Sequence, residues 1–191
     1  MYQRAGDRAL NTSGQRYIIA VMGIPGAGKS TIARTLEREL GLRRVCRDLI
    51  RRAMFPSSNF SRLEKRAAFR AVLLATEINC LLDAPSVLDG MTFSRRKDFD
   101  AVAELAARHD FSVLPLLVEC GSATARQRIE ADMVDGAHPA GDRRPALVDA
   151  VVARFQTPPD NTIRIDGEAE LEVMCAQARA SVAAWRAKRS V

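Results

Sequence analysis

Aromatic side chains are few: seven Phe, two Tyr and one Trp in 191 residues, most of them inside apolar runs. That leaves no platform on which successive bases of a single-stranded nucleic acid would stack. Cysteine is sparse too. Cys46, Cys80, Cys120 and Cys175 lie far apart, with no CxxC and no Cys/His grouping at zinc spacing. A disulfide scaffold and a structural zinc site are therefore excluded, and buried free thiols in a reducing compartment are expected. The two histidines, His109 and His138, have no partner at catalytic spacing and read as surface residues. Lysine is nearly missing: Lys29, Lys65, Lys97 and Lys188 are the only four, so arginine carries almost all of the basic charge behind the net +6. No apolar run approaches a membrane span or the core of a signal peptide, which predicts a soluble cytoplasmic protein with no membrane partner.

What remains is a chain with 47% apolar residues, enough to bury a core without metal or disulfide support. Its length suits one α/β domain, placed at residues 16–191 behind a loose polar arm, 1–15. The arginine excess fits an anionic substrate, because guanidinium forks match phosphate oxygens better than ammonium groups do. A merely solvated arginine-rich surface fits it as well.

Strand and helix signals alternate along the chain. Residues 17–22 (YIIAVM) read as a strand covered on both faces, and Ile32, Leu36 and Leu40 mark a helix closed by Gly41. A short strand 44–46, a helical start at 48–54 and a long apolar helix 61–83 follow, the last opened by a Ser61/Glu64 capping box. Next come strand 86–89, helix 95–109, strand 111–119, helix 122–134, a Gly/Pro-rich loop 135–145, helix 145–155, strand 162–165 and helix 168–188. Five such alternations imply a parallel sheet with helices on both faces. In these sheets ligands bind beyond the carboxyl ends of the strands, where Gly23, Asp48 and Asp89 fall.

One motif is sharp. Gly23-Ile24-Pro25-Gly26-Ala27-Gly28-Lys29-Ser30 fits G-x-x-x-x-G-K-[ST], with Thr31 next, and it lies between an apolar strand and an amphipathic helix. Glycines let the backbone curl so that its N–H groups face phosphates. Lys29 then reaches the β- and γ-phosphates, and the Ser30 hydroxyl ligates Mg²⁺. The expected ligand is Mg-ATP. No guanine-reading N/T-K-x-D segment exists, and Asp89 is followed by Gly90 and Met91 instead of a water-polarising glutamate. Transfer to a hydroxyl is favoured over hydrolysis.

The run GIPGAGKST, followed by a second strand and Arg47-Asp48-Leu49-Ile50-Arg51, resembles the small P-loop kinases that include the kinase domain of phage polynucleotide kinase. Gluconate and shikimate kinases, chloramphenicol phosphotransferase and zeta-type toxins are similar. The resemblance spans about residues 17–166. It implies a P-loop NTPase three-layer sandwich with a five-stranded parallel sheet and an arginine-bearing lid at about 122–146.

It also implies roles. Asp48 matches the aspartate that takes the proton from the acceptor hydroxyl, though it is also placed to cap a helix. Arg51 matches an arginine that binds the acceptor's phosphate, helped by Arg47 and Arg52; an ion pair with Asp48 is the simpler alternative. Asp89 is expected near Mg²⁺ or the acceptor, with a bond to a P-loop hydroxyl as the structural alternative, and Thr92 and Arg95 are expected beside the acceptor. Among the lid arginines Arg126 is the first choice, ahead of Arg128, Arg143 and Arg144. Residues 157–160 are expected to flank adenine. A small hydroxyl-bearing metabolite is the favoured acceptor, a polynucleotide 5′-hydroxyl the second, and a slowly hydrolysing regulatory module the reading from another class.

Overall fold

Six consecutive apolar residues, Tyr17–Met22, form β1, and all six are buried. Successive side chains of a strand point to opposite faces. Tyr17, Ile19 and Val21 therefore enter one core, while Ile18, Ala20 and Met22 enter a second. A strand covered on both faces has to be apolar throughout, and this one is.

The computed structural model describes residues 15–135 and 144–189. The expected N-terminal arm up to residue 14, His138 and Arg143 lie outside those residues. Five strands form one wholly parallel sheet in the order β2-β3-β1-β4-β5, with β2 at Arg43–Cys46, β3 at Ser86–Asp89, β4 at Ser112–Glu119 and β5 at Ile163–Asp166. The helices are α1 (Lys29–Leu40), α2 (Arg47–Met54), α3 (Arg62–Leu81), α4 (Arg96–Ala107), α5 (Ser122–Asp135), α6 (Ala146–Val152) and α7 (Leu171–Ala187). One core receives α1, α5, α6 and α7 through Ile32, Leu36, Ile129, Val148, Met174 and Val182. The other receives α3 and α4 through Val72, Cys80, Phe99 and Val102. This is the three-layer P-loop NTPase architecture. No helix among the described residues is long and apolar enough to cross a membrane.

Local signals hold at several boundaries and shift at others. Gly41 closes α1 at φ 66°, a conformation glycine adopts without strain. Ser61 caps α3 by accepting the Glu64 N–H at 3.3 Å. The reciprocal half of the capping box is replaced: the Glu64 carboxylate accepts from the Asn59 and Phe60 N–H groups and the Ser58 hydroxyl, because the chain turns sharply at Phe60, φ 55°. Cys46 and Cys80 are buried, but Cys120 and Cys175 are only half-buried, which corrects the expectation of four buried thiols. His109 is half-buried as well, its Nε2 3.3 Å from Glu77.

The register sets up the site. Ala20 pairs with Leu88 and Cys46 with Asp89, so β1, β2 and β3 end at one edge. The loops starting at Gly23, Arg47 and Gly90 leave side by side.

Candidate active site

The turn from β1 into α1 holds three glycines at positive φ: Gly23 at 136°, Gly26 at 85° and Gly28 at 97°. Two are also packed against backbone. A Cβ at Gly23 would lie 2.5 Å from the Val118 carbonyl oxygen, and one at Gly26 2.3 Å from that of Ala125. Gly28 is the N-cap of α1 and offers no side chain to its first-turn amides. Apart from the Thr31 N–H, which donates to the Gly28 carbonyl at 3.1 Å, those donors and the positive end of the helix are left to an anion. Pro25, Gly26, Gly28, Lys29, Ser30 and Thr31 line a cleft of about 710 Å³. Ala27 is fully buried, and the Gly23 N–H donates to the Thr92 carbonyl at 3.1 Å, so these two shape the loop from behind.

Lys29 is buried, with Nζ 2.6 Å from the Ile24 carbonyl oxygen. Ser30 donates to Asp89 Oδ1 at 2.8 Å. Asp89, 1% exposed, also accepts the Gly90 N–H at 2.6 Å and the Arg44 guanidinium at 3.0 Å, and Arg44 Nε reaches Glu37 at 2.7 Å. This chain of contacts follows from strand alternation. Val87 faces the core covered by α1, so Asp89, two residues on, faces α1 as well, where Ser30 and Glu37 stand. Burial pulls the Arg44 pKa down, but its bonds to Glu37 and Asp89 outweigh that and leave it raised. Nothing in the sequence marks Arg44 beyond its place in a strand.

Asp48 is buried, with Oδ1 3.4 Å from Arg47 and 3.3 Å from Arg51. It is the second residue of α2, whose N-cap is Cys46, so it is not itself the cap. Gly90, at φ 75°, lies directly against it: a Cβ there would sit 3.1 Å from both the amide nitrogen and Oδ2 of Asp48. The Arg51 guanidinium is buried and stacks over the Phe60 ring at 4.5 Å.

The remaining expected residues divide. Thr92 lines the cleft, whereas Arg95 lies on the neighbouring surface. Arg126 is not in the cleft: it pairs with Asp149 of α6, because its side of α5 faces α6. Arg128, two residues on, lines the cleft and donates to the Gly167 carbonyl at 2.7 Å. Arg144 is exposed and outside the cleft, and residues 157–160 contribute nothing to its walls. Arg34, Lys65 and Arg154 line it without any sequence signal having pointed to them.

Nine cationic side chains line this cleft (Lys29, Arg34, Arg44, Arg47, Arg51, Arg52, Lys65, Arg128 and Arg154) against three carboxylates, Asp48, Asp89 and Asp132. Such an excess suits a polyanion. Among the described residues no group of three or more His, Cys, Asp or Glu side chains could hold a metal alone. Ser30 Oγ and Asp89 Oδ1, 2.8 Å apart, form the pair of oxygens on which Mg²⁺ would rest with phosphates and water completing its shell. The residues fit that ion.

Cys46 also lines the cleft. Burial, then the nearby charges of Asp89 and Asp48, push its pKa up to about 11. Below that pH the group stays a thiol, and the thiolate is the reactive form. Iodoacetamide at pH 8 should therefore leave Cys46 unlabelled in the folded protein and label it after denaturation, as peptide mass spectrometry would show. Rapid labelling of the folded protein would contradict this.

No curated protein matches the sequence. Solved structures do. A gluconokinase from Sinorhizobium meliloti superimposes with a TM-score of 0.67 at 17% identity, covering 89% of this chain and 93% of that one. An APS kinase from Mycobacterium tuberculosis, in complex with AMPPNP and APS, gives 0.62 at 15%, covering 88% and 97%. Chaetomium thermophilum Kti12, in complex with ADP-AlF3, gives 0.62 at 18%, covering 85% and 94%. These likenesses establish the fold of small P-loop kinases. The AAA domain family model matches residues 18–158, from β1 to the approach to β5, and this chain is accordingly a member of the AAA domain family.

Proposed function

We propose that this protein is an ATP-dependent phosphotransferase that moves the γ-phosphoryl group of Mg-ATP to the hydroxyl of a small acceptor. One observation carries the reading: a phosphate-binding loop and a buried carboxylate, Asp48, open on one cleft, and the residue after Asp89 is Gly90, packed close against Asp48, not a glutamate that could polarise water. The gluconokinase and the APS kinase that share the fold support it.

The loop amides and the α1 N-terminus bind the phosphate tail, and Lys29 leaves the Ile24 carbonyl to meet the β- and γ-phosphates. Ser30 and Asp89 would hold Mg²⁺, which would supply charge neutralisation to the phosphate tail. Asp48 orients the acceptor hydroxyl and takes its proton as the new O–P bond forms and the bond from the γ-phosphorus to the bridging oxygen of ADP breaks. Arg51 and Thr92 border the acceptor. Arg128, already in the cleft wall, is better placed than Arg126 to meet charge on the leaving phosphate.

The test is a panel of sugars, sugar acids, sugar phosphates, nucleosides, nucleotides and amino alcohols incubated with γ-labelled ATP. Label should pass to an alcohol, with little phosphate released when acceptor is withheld. Robust phosphate release with no labelled alcohol would overturn the proposal.

A further inference from the structure

Arg154 stands where two cavities meet. It lines the active-site cleft and also an open hollow of about 750 Å³ between the start of α4 and residues 153–156. The other charged residues of that hollow are Arg95, Arg96 and Lys97, and no carboxylate lines it among the described residues. Arg96 is paired with Asp100 at 2.9 Å, but neither Arg95 nor Arg154 has an ion pair among the described residues. Arg154 Nε donates to Ser94 Oγ at 3.4 Å, which anchors the guanidinium. From the cleft side comes Arg47, whose Nε is buried and lacks a hydrogen-bond partner among the described residues.

The site is built on fixed elements. The Gln156 N–H donates to the Ser94 carbonyl at 2.9 Å, and Gln156 Oε1 accepts the Arg96 N–H at 2.6 Å, tying the 153–156 segment to the head of α4. Burial, then the charges of Arg95 and Arg47, lower the Arg154 pKa, with Asp98 offsetting part of this. Arg154 thus shares one cavity with Arg47, itself 3.4 Å from Asp48, and the other with Arg95, and an anion entering beside it offsets the like charge from both sides.

We infer that Arg47, Arg95 and Arg154 form a second anion site at the rim of the cleft, separate from the P-loop, which holds a phosphate-type group carried by the acceptor. This rests on the phosphotransferase reading and narrows it: the acceptor is a phosphorylated alcohol, not a neutral one. Guanidinium forks are the donors suited to such a group.

The test keeps the P-loop filled. Protein saturated with Mg-ADP is dialysed against labelled inorganic phosphate, and ADP binding is measured in the same samples. One phosphate should bind beyond the nucleotide. Arg95→Gln and Arg154→Gln should each weaken it about tenfold, while Arg96→Gln, whose partner is Asp100, should not. No phosphate binding with ADP in place, or equal binding by the double variant Arg95→Gln/Arg154→Gln, would overturn the rim site and leave the phosphotransferase reading standing. Absence of ADP binding would remove both. Competition names the source: displacement of label by a sugar phosphate points to a free metabolite, and displacement by an oligothymidylate to a polynucleotide end. Displacement by neither would sever the site from any acceptor.

Discussion

Asp48→Asn is expected to slow phosphoryl transfer by roughly 10²–10⁴-fold, the usual worth of a positioned general base, with Mg-ATP binding unchanged. Asparagine keeps the shape of the side chain and its place against Gly90, where a Cβ would come within 3.1 Å of Asp48 Oδ2. What it loses is the capacity to accept a proton and the charge that faces Arg47 and Arg51. Alanine would be a poorer probe, since it would strip buried Arg51 and half-buried Arg47 of their shared carboxylate. Asp48→Glu should recover part of the rate because the base is restored at a displaced position. Initial rates with labelled ATP, set beside calorimetric titration with Mg-ATP, make the check. A variant that transfers at the parental rate would show that Asp48 only anchors α2.

The second large effect concerns stability. Arg44→Met should destabilise the protein by about 3 kcal/mol, the scale for breaking a buried ion pair from one side. The Arg44 side chain is 17% exposed and that of Asp89 is 0%, so the loss would leave an ionised carboxylate inside the sheet edge with only the Ser30 hydroxyl and Gly90 N–H as donors. Glu37, 41% exposed, would turn to solvent at little cost. The double variant Arg44→Met/Asp89→Asn should recover much of the loss, because no charge is then stranded. Urea denaturation of the three variants measures this. A deficit for Arg44→Met below about 1 kcal/mol, the level of an exposed pair, would mean that the contact contributes little.

Both residues line the cleft that the P-loop opens on, yet they differ in how visible they were beforehand. The loop was legible because its main requirement is local: the turn needs positive φ at Gly23, Gly26 and Gly28. Asp48 was legible only beside a family pattern, since one carboxylate after a strand is common. Arg44 and Gly90 were not legible as site residues. Arg44 meets Asp89 because two strands distant in sequence pair in one register, and Gly90 turns at positive φ close against the start of α2. The choice between Arg126 and Arg128 also escaped local reasoning. Two residues apart on α5, they point to different neighbours, and only the packing of α6 and Gly167 assigns one to Asp149 and the other to the cleft.

The sequence by itself determined what each short segment must be. An unbroken apolar run buried on both faces makes β1, four-residue spacing with a closing glycine makes α1, and the glycine-lysine turn between them is an anion cradle, because backbone sterics and hydrophobic period act within a few residues. Tertiary structure alone decided which charges share the cleft. Register and helix crossing bring Arg44 to Asp89, Arg47 and Arg154 to the walls of one cleft and Gly90 beneath Asp48, and those placements depend on chain segments that local sequence does not place relative to one another.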